Sequence, residues 1–94
     1  MSNDPIPVSH DSSAHRFVAK LGGQEAYLAY RRQDDTLDFY YTYVPDSFRG
    51  RGIAEALCKA GFEYAKANQL KVIPSCPYVG DTYLRRHPEY RELI

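Results

Sequence analysis

In the first half of the chain, apolar and polar side chains alternate with a period of two, which sends successive residues to opposite faces of an extended strand. RFVAKL and QEAYLAYRR read as two such strands, and Gly22 and Gly23 between them can take the positive φ angles of a tight hairpin turn. Asp34 and Asp35 mark the next turn. Beyond it TLDFYYTYV alternates again, with Leu37, Phe39, Tyr41 and Tyr43 on one face and Asp38, Tyr40, Thr42 and Val44 on the other. That strand ends at Pro45, which has no amide hydrogen for a ladder bond.

After the Gly-rich stretch DSFRGRG the period changes. Ile53, Leu57, Ala60 and Tyr64 recur at helical spacing, while Glu55, Lys59, Glu63 and Lys66 form a separate charged stripe, so one amphipathic helix runs to about Asn68. LKVIPSC is a short apolar run consistent with a buried strand returning parallel to the previous one, which makes a strand, helix, strand crossover. Pro77 can open a second, shorter helix through YVGDTYLRR, which stops near His87 because Pro88 fits poorly inside it. The tail PEYRELI is ambiguous. The expected fold class is α+β: three antiparallel strands, a helix, a parallel strand and a helix. Residues 1–14, rich in Ser, Asp and Pro, are expected to be a flexible leader, and 15–94 the folded domain.

Composition narrows the picture further. With 94 residues, 44% of them hydrophobic, the chain can build one core and only one. Twelve basic and twelve acidic side chains cancel, so no net field draws it to a nucleic-acid backbone or an anionic membrane, and neither partner is expected. No apolar run approaches the roughly 20 residues that span a bilayer, and the start has no secretory pattern, so a cytoplasmic protein is expected. Cys58 and Cys76 form neither a CxxC pair nor a zinc pattern, and His10, His15 and His87 lack metal-ligand spacing. Reduced thiols and no metal are the expectation. Oligomeric state is not encoded legibly, and a monomer or weak dimer is assumed.

The segment that suggests chemistry is Arg49-Gly50-Arg51-Gly52-Ile53-Ala54, at the hand-over from strand to helix. The first amides of a helix lack internal acceptors, the helix dipole adds partial positive charge, and glycines let the backbone approach a pyrophosphate closely. The plainer alternative is a tight turn with solvated arginines. Neither a GxxxxGK[ST] nor a GxGxxG phosphate motif occurs elsewhere in the chain.

This hexapeptide resembles the [QR]-x-x-G-x-[GA] signature of GCN5-related N-acetyltransferases. The stretches VPDSFRGRGIA and PSCPYV are similar to the V-P-x-x-x-R-G-x-G-[IL]-[AG] and P-x-C-P-[YF]-V motifs of a small, single-domain branch of that family, in this order. The resemblance spans roughly residues 15 to 90 and implies a truncated acyl-CoA N-acyltransferase fold. It further implies acetyl-coenzyme A as co-substrate, with the pyrophosphate on the amides of Arg49, Gly50, Arg51, Gly52, Ile53 and Ala54. The pantetheine arm would lie where the strand before the turn splays from its parallel neighbour, and a backbone amide near Tyr43 or Val44 would stabilise the oxyanion.

Proton transfer is less legible. The family's Glu on the strand before the turn is absent from YYTYV, and Tyr41 stands where relatives in the small branch often have His. Cys76 lies at the carboxyl end of the parallel strand and ahead of a helix, where a thiolate could be favoured, and the resemblance implies that it acts on the acyl group. A packing role is the alternative for Cys76, and Cys58 within the long helix reads as structural. The resemblance also offers Tyr78 or Tyr83 as the acid for the departing thiolate. Arg85, Arg86 and His87 form a basic cluster open to coenzyme phosphates or simply to solvent. The expected function is acetyl transfer to a small amine or a protein or peptide amine. The alternatives are a coenzyme A-binding module without turnover and a nucleic-acid-binding domain.

Overall fold

Gly22 and Gly23 both take positive φ, 55° and 81°, and so close a two-residue hairpin between strands β2 (Arg16–Leu21) and β3 (Gln24–Gln33). The computed structural model describes residues 6–48, 50 and 52–94. Strand β1 (Ser9–Asp11) precedes the hairpin, and β4 (Thr36–Tyr43), helix α1 (Ile53–Ala67) and β5 (Lys71–Ile73) follow it. The sheet order is β1-β2-β3-β4-β5, antiparallel throughout except for the parallel pair β4 and β5. The α+β architecture is therefore the expected one, with one strand more.

That extra strand corrects the boundary. A leader was expected over 1–14, but Ser9–Asp11 pairs along β2, in register Ser9 with Val18, and belongs to the sheet. Its anchor is His10, whose ring stacks on Phe17 at 4.3 Å, meets Tyr64 edge-on at 4.4 Å and bonds the Tyr30 hydroxyl at 2.5 Å. A polar, Pro-containing stretch gave no sign of this, because one aromatic side chain supplies the docking.

The helices cover one face of the sheet. Leu57, Cys58, Phe62 and Ala65 of α1 are fully buried, and Phe62 meets Phe39 edge-on at 5.4 Å. Burying each large side chain of this kind stabilises the fold by about 1.5–3 kcal/mol before entropy is counted. Gly61 lets α1 approach closely, since a Cβ there would stand 2.9 Å from Phe39 Cζ.

The second helix differs from expectation in form. Tyr78–Tyr83 is a π-helical turn that runs into a short α-helix, α2 (Leu84–Arg86), and the ambiguous tail folds as a 3-10 segment, Pro88–Leu93. Tyr90 in that segment is buried and stacks on Phe62 at 5.0 Å, which is what holds the tail down.

Candidate functional site

The site begins with an irregularity in β4. Ala29 pairs with Tyr41 and Tyr30 with Phe39, so Tyr40 has no ladder partner on β3 and forms a bulge. One extra residue reverses the alternation beyond it. Leu37 and Phe39 point into the core, whereas Tyr41 and Tyr43, expected on the same face as those two, are 48% and 42% exposed. Thr42 and Val44 turn towards the helices instead, and both line a cavity there.

The gap that forms this cavity comes from a short pairing. β4 and β5 bond only from Thr36, Leu37 and Asp38 to Lys71, Val72 and Ile73. One further tie, the Cys76 amide donating to the Phe39 carbonyl at 2.8 Å, fixes the chain after Pro74, and beyond it the strands part. The resulting cavity holds about 380 Å³ and is lined by Thr42, Val44, Phe48, Gly50, Gly52, Ile53, Ala54, Glu55, Tyr78 and Arg86.

One wall of it is the start of α1. Gly50 and Gly52 take φ of 84° and 75°, a region costly for any residue with a Cβ, and a Cβ built on either would meet nothing within 4 Å. Gly52 is the N-cap, and no side chain caps the helix. Its carbonyl accepts from the Ala56 amide at 3.0 Å, and the amides of Ile53, Ala54 and Glu55 ahead of that bond have no intrahelical acceptor. Of the six residues expected to form the turn, Gly50, Gly52, Ile53 and Ala54 line the cavity together. Arg49 and Arg51 lie outside the described residues.

The remaining candidates separate. Tyr78 lines the cavity, and its phenol is pushed up to about 12, chiefly by burial. Tyr83 does not line it. It is 1% exposed, stacks on Phe62 at 5.5 Å and on Tyr90 at 6.0 Å, and the pKa of its hydroxyl is also raised, chiefly by burial. Cys76 is 6% exposed, with its sulfur 3.3 Å from the Thr42 hydroxyl. Cys58 is fully buried, and burial drives its thiol pKa strongly upward, as suits a packing residue. Val44 lines the cavity, while Tyr43 turns its ring outward onto Tyr27 at 5.6 Å.

Two features escaped the sequence. Glu55, in the first turn of α1, accepts from Arg86 at 2.7 Å and lies 2.9 Å from His87 Nε2, and these bonds, the His87 one most, hold its carboxyl below the usual range. Strict alternation puts Thr42 on the face opposite Leu37 and Phe39, and the bulge turns it to their side, where it lines the cavity. An acid in a first helical turn and the Arg85 to His87 cluster were both visible, but nothing local announces that they meet. Among the described residues no group of three or more His, Cys, Asp or Glu could hold a metal, and no helix is long and apolar enough to cross a membrane.

Comparison with known proteins bears on the same region. The family model of the GCN5-related N-acetyltransferases matches residues 16–93. Protein NATD1 of Xenopus tropicalis is 38% identical over 93% of this chain and 84% of its own length, and Protein NATD1 of Gallus gallus is 36% identical over 89% and 78%. A GCN5-like protein from Staphylococcus aureus, solved by NMR in solution, superposes with a TM-score of 0.71 over 95% of this chain and 87% of that one; at 24% identity the likeness speaks for the fold. A splayed parallel pair, an uncapped helix start behind two left-handed glycines, and a family match over nearly the whole folded part converge, and the chain belongs to the GCN5-related N-acetyltransferase family.

Proposed function

We propose that this chain binds acetyl-coenzyme A, with its pyrophosphate on the amides of Gly52, Ile53 and Ala54, and transfers the acetyl group to an amine. The observation that carries the reading is the open start of α1. Its glycines leave the backbone bare, its first amides lack helical acceptors, and the cavity begins directly in front of them. Arg86, also in the wall, adds positive charge and offsets the Glu55 carboxylate to which it is bonded.

Between β4 and β5 the gap runs along the part of β4 that pairs with β3 on one edge but has no strand partner on the β5 edge, which suits an extended pantetheine arm. The thioester carbonyl would then face the amide of Tyr43 or Val44, a fixed donor for the oxyanion. Tyr78, its phenol pKa pushed up to about 12 chiefly by burial, stays protonated at neutral pH and serves as a hydrogen-bond donor that steadies the departing sulfur. Cys76, behind Thr42, is the acyl carrier: its sulfur takes the acetyl group and then yields it to the amine. The other face of the gap, beside exposed Tyr41, Tyr43 and Ile73, is left for the acceptor, a small amine or a peptide amine.

A second reading, a coenzyme-binding module without turnover, draws on one observation. Among the described residues Glu55 is the only carboxylate lining the cavity, and it is already engaged by Arg86 and His87. Two measurements decide. Acetyl-coenzyme A at about 100 times its Kd should stabilise the fold by roughly 2.7 kcal/mol and raise Tm, and Gly52→Glu should abolish that rise by placing a carboxylate where the pyrophosphate sits. A full Tm rise in that variant refutes the coenzyme site. Free thiol release with an amine panel then separates enzyme from module.

A further inference from the structure

We propose that Thr42 is the proton relay between Cys76 and the sulfur of the coenzyme. The inference rests on the coenzyme reading above and adds to it the group that makes a buried thiol usable. Cys76 is nearly enclosed, and its backbone is pinned on both sides: its amide donates to the Phe39 carbonyl at 2.8 Å, and its carbonyl accepts from the Gly80 amide at 3.0 Å. Its sulfur lies 3.3 Å from the Thr42 hydroxyl, within hydrogen-bond reach for sulfur, and Thr42 itself lines the cavity. That hydroxyl therefore touches the thiol on one side and the coenzyme space on the other.

A hydroxyl can accept one proton while it donates another. When the Cys76 sulfur attacks the thioester carbonyl carbon, a new C–S bond forms and the bond to the coenzyme sulfur breaks. The thiol proton passes to Thr42 Oγ1, and the Thr42 hydroxyl proton passes to the departing coenzyme thiolate. Thr42 ends as it began, Cys76 carries the acetyl group, and free coenzyme thiol leaves, so atoms and charge balance without another reactant. When the amine attacks the Cys76 thioester, a C–N bond forms and the C–S bond to Cys76 breaks, a proton of the amine nitrogen passes to Thr42 Oγ1, and the Thr42 hydroxyl proton passes to the Cys76 sulfur and restores the thiol. Cys58 does not compete, because it packs inside α1 with no exposure.

The bulge at Tyr40 is what puts Thr42 there, since a regular β4 would turn it to the open face. Two substitutions separate chemistry from packing. Thr42→Val keeps the shape and removes the hydroxyl, whereas Thr42→Ser keeps the hydroxyl and removes a methyl group. Each variant and the wild type are incubated with acetyl-coenzyme A alone, and acetylated Cys76 is followed by mass spectrometry with peptide mapping. The wild type and Thr42→Ser should acquire the group at rates within about threefold of each other, and Thr42→Val about a hundredfold more slowly. A Thr42→Val rate equal to wild type, or a Thr42→Ser rate as low as that of Thr42→Val, overturns the relay, the latter by pointing to packing. A wild type whose Tm rises with acetyl-coenzyme A but whose Cys76 stays unmodified overturns the relay and leaves the coenzyme site standing; absence of the Tm rise removes the site itself.

Discussion

Gly61 inverts the usual rule for a residue inside a helix. Replacing a mid-helix glycine by alanine ordinarily stabilises by about 0.5–1 kcal/mol, because the backbone entropy lost on folding shrinks. At Gly61 the new methyl group would stand 2.9 Å from Phe39 Cζ and 3.1 Å from Leu28 Cδ2, both in the core. Phe39 is in turn wedged against Phe62 and Tyr30 and has little room to yield. Gly61→Ala should therefore destabilise by about 1–3 kcal/mol, read as a lower urea midpoint at unchanged slope. A rise in midpoint would mean that the Phe39 ring can move aside. Tyr40 makes a similar point about single residues: one unpaired position decides which of its neighbours see the cavity.

At the scale of elements, the start of α1 is tied to α2 and the residue after it through one carboxylate. Glu55 bonds Arg86 and His87, and both partners lower its pKa in the folded state from the ordinary 4.5. A depressed carboxylate contributes stability that is present above the unfolded value and lost as pH falls through the folded one. Glu55→Gln should thus lower Tm near pH 7, and the gap between variant and wild type should close as pH falls below 4.5. A gap that persists unchanged at pH 3 would show that the carboxylate charge is not what links the two helices. The elements themselves were largely legible: the hairpin at Gly22 and Gly23, α1 from its stripe, and the glycine turn from its place between strand and helix. Their meeting was not, because Glu55 and Arg86 are 31 residues apart and no local period connects them.

Across the whole molecule, the sheet is completed by a strand that composition assigned to a leader. β1 is short, and His10 carries its attachment, with burial holding the imidazole pKa below the ordinary 6.5 and Arg32 and His15 working in the same direction against Asp11. A base with a depressed folded pKa favours the fold while neutral, so this contribution is present above about pH 6.5 and fades as pH falls below it. Amide exchange across β1, corrected for intrinsic rates, should be faster at pH 5 than at pH 7.5, and equal protection at both would overturn the assignment. By itself the sequence determined the α+β order, the hairpin, the amphipathic helix and the glycine-opened turn, because each is written in φ preferences and periodicities within a few neighbouring residues. Tertiary structure alone decided the docking of β1, the bulge that turns Thr42 inward, the placing of Tyr78 in the cavity and Tyr83 in the core, and the contact of Thr42 with Cys76 across 34 residues. Those outcomes depend on which strand borders which, and on how one unpaired residue shifts a register, and both are fixed only when distant segments pack against one another.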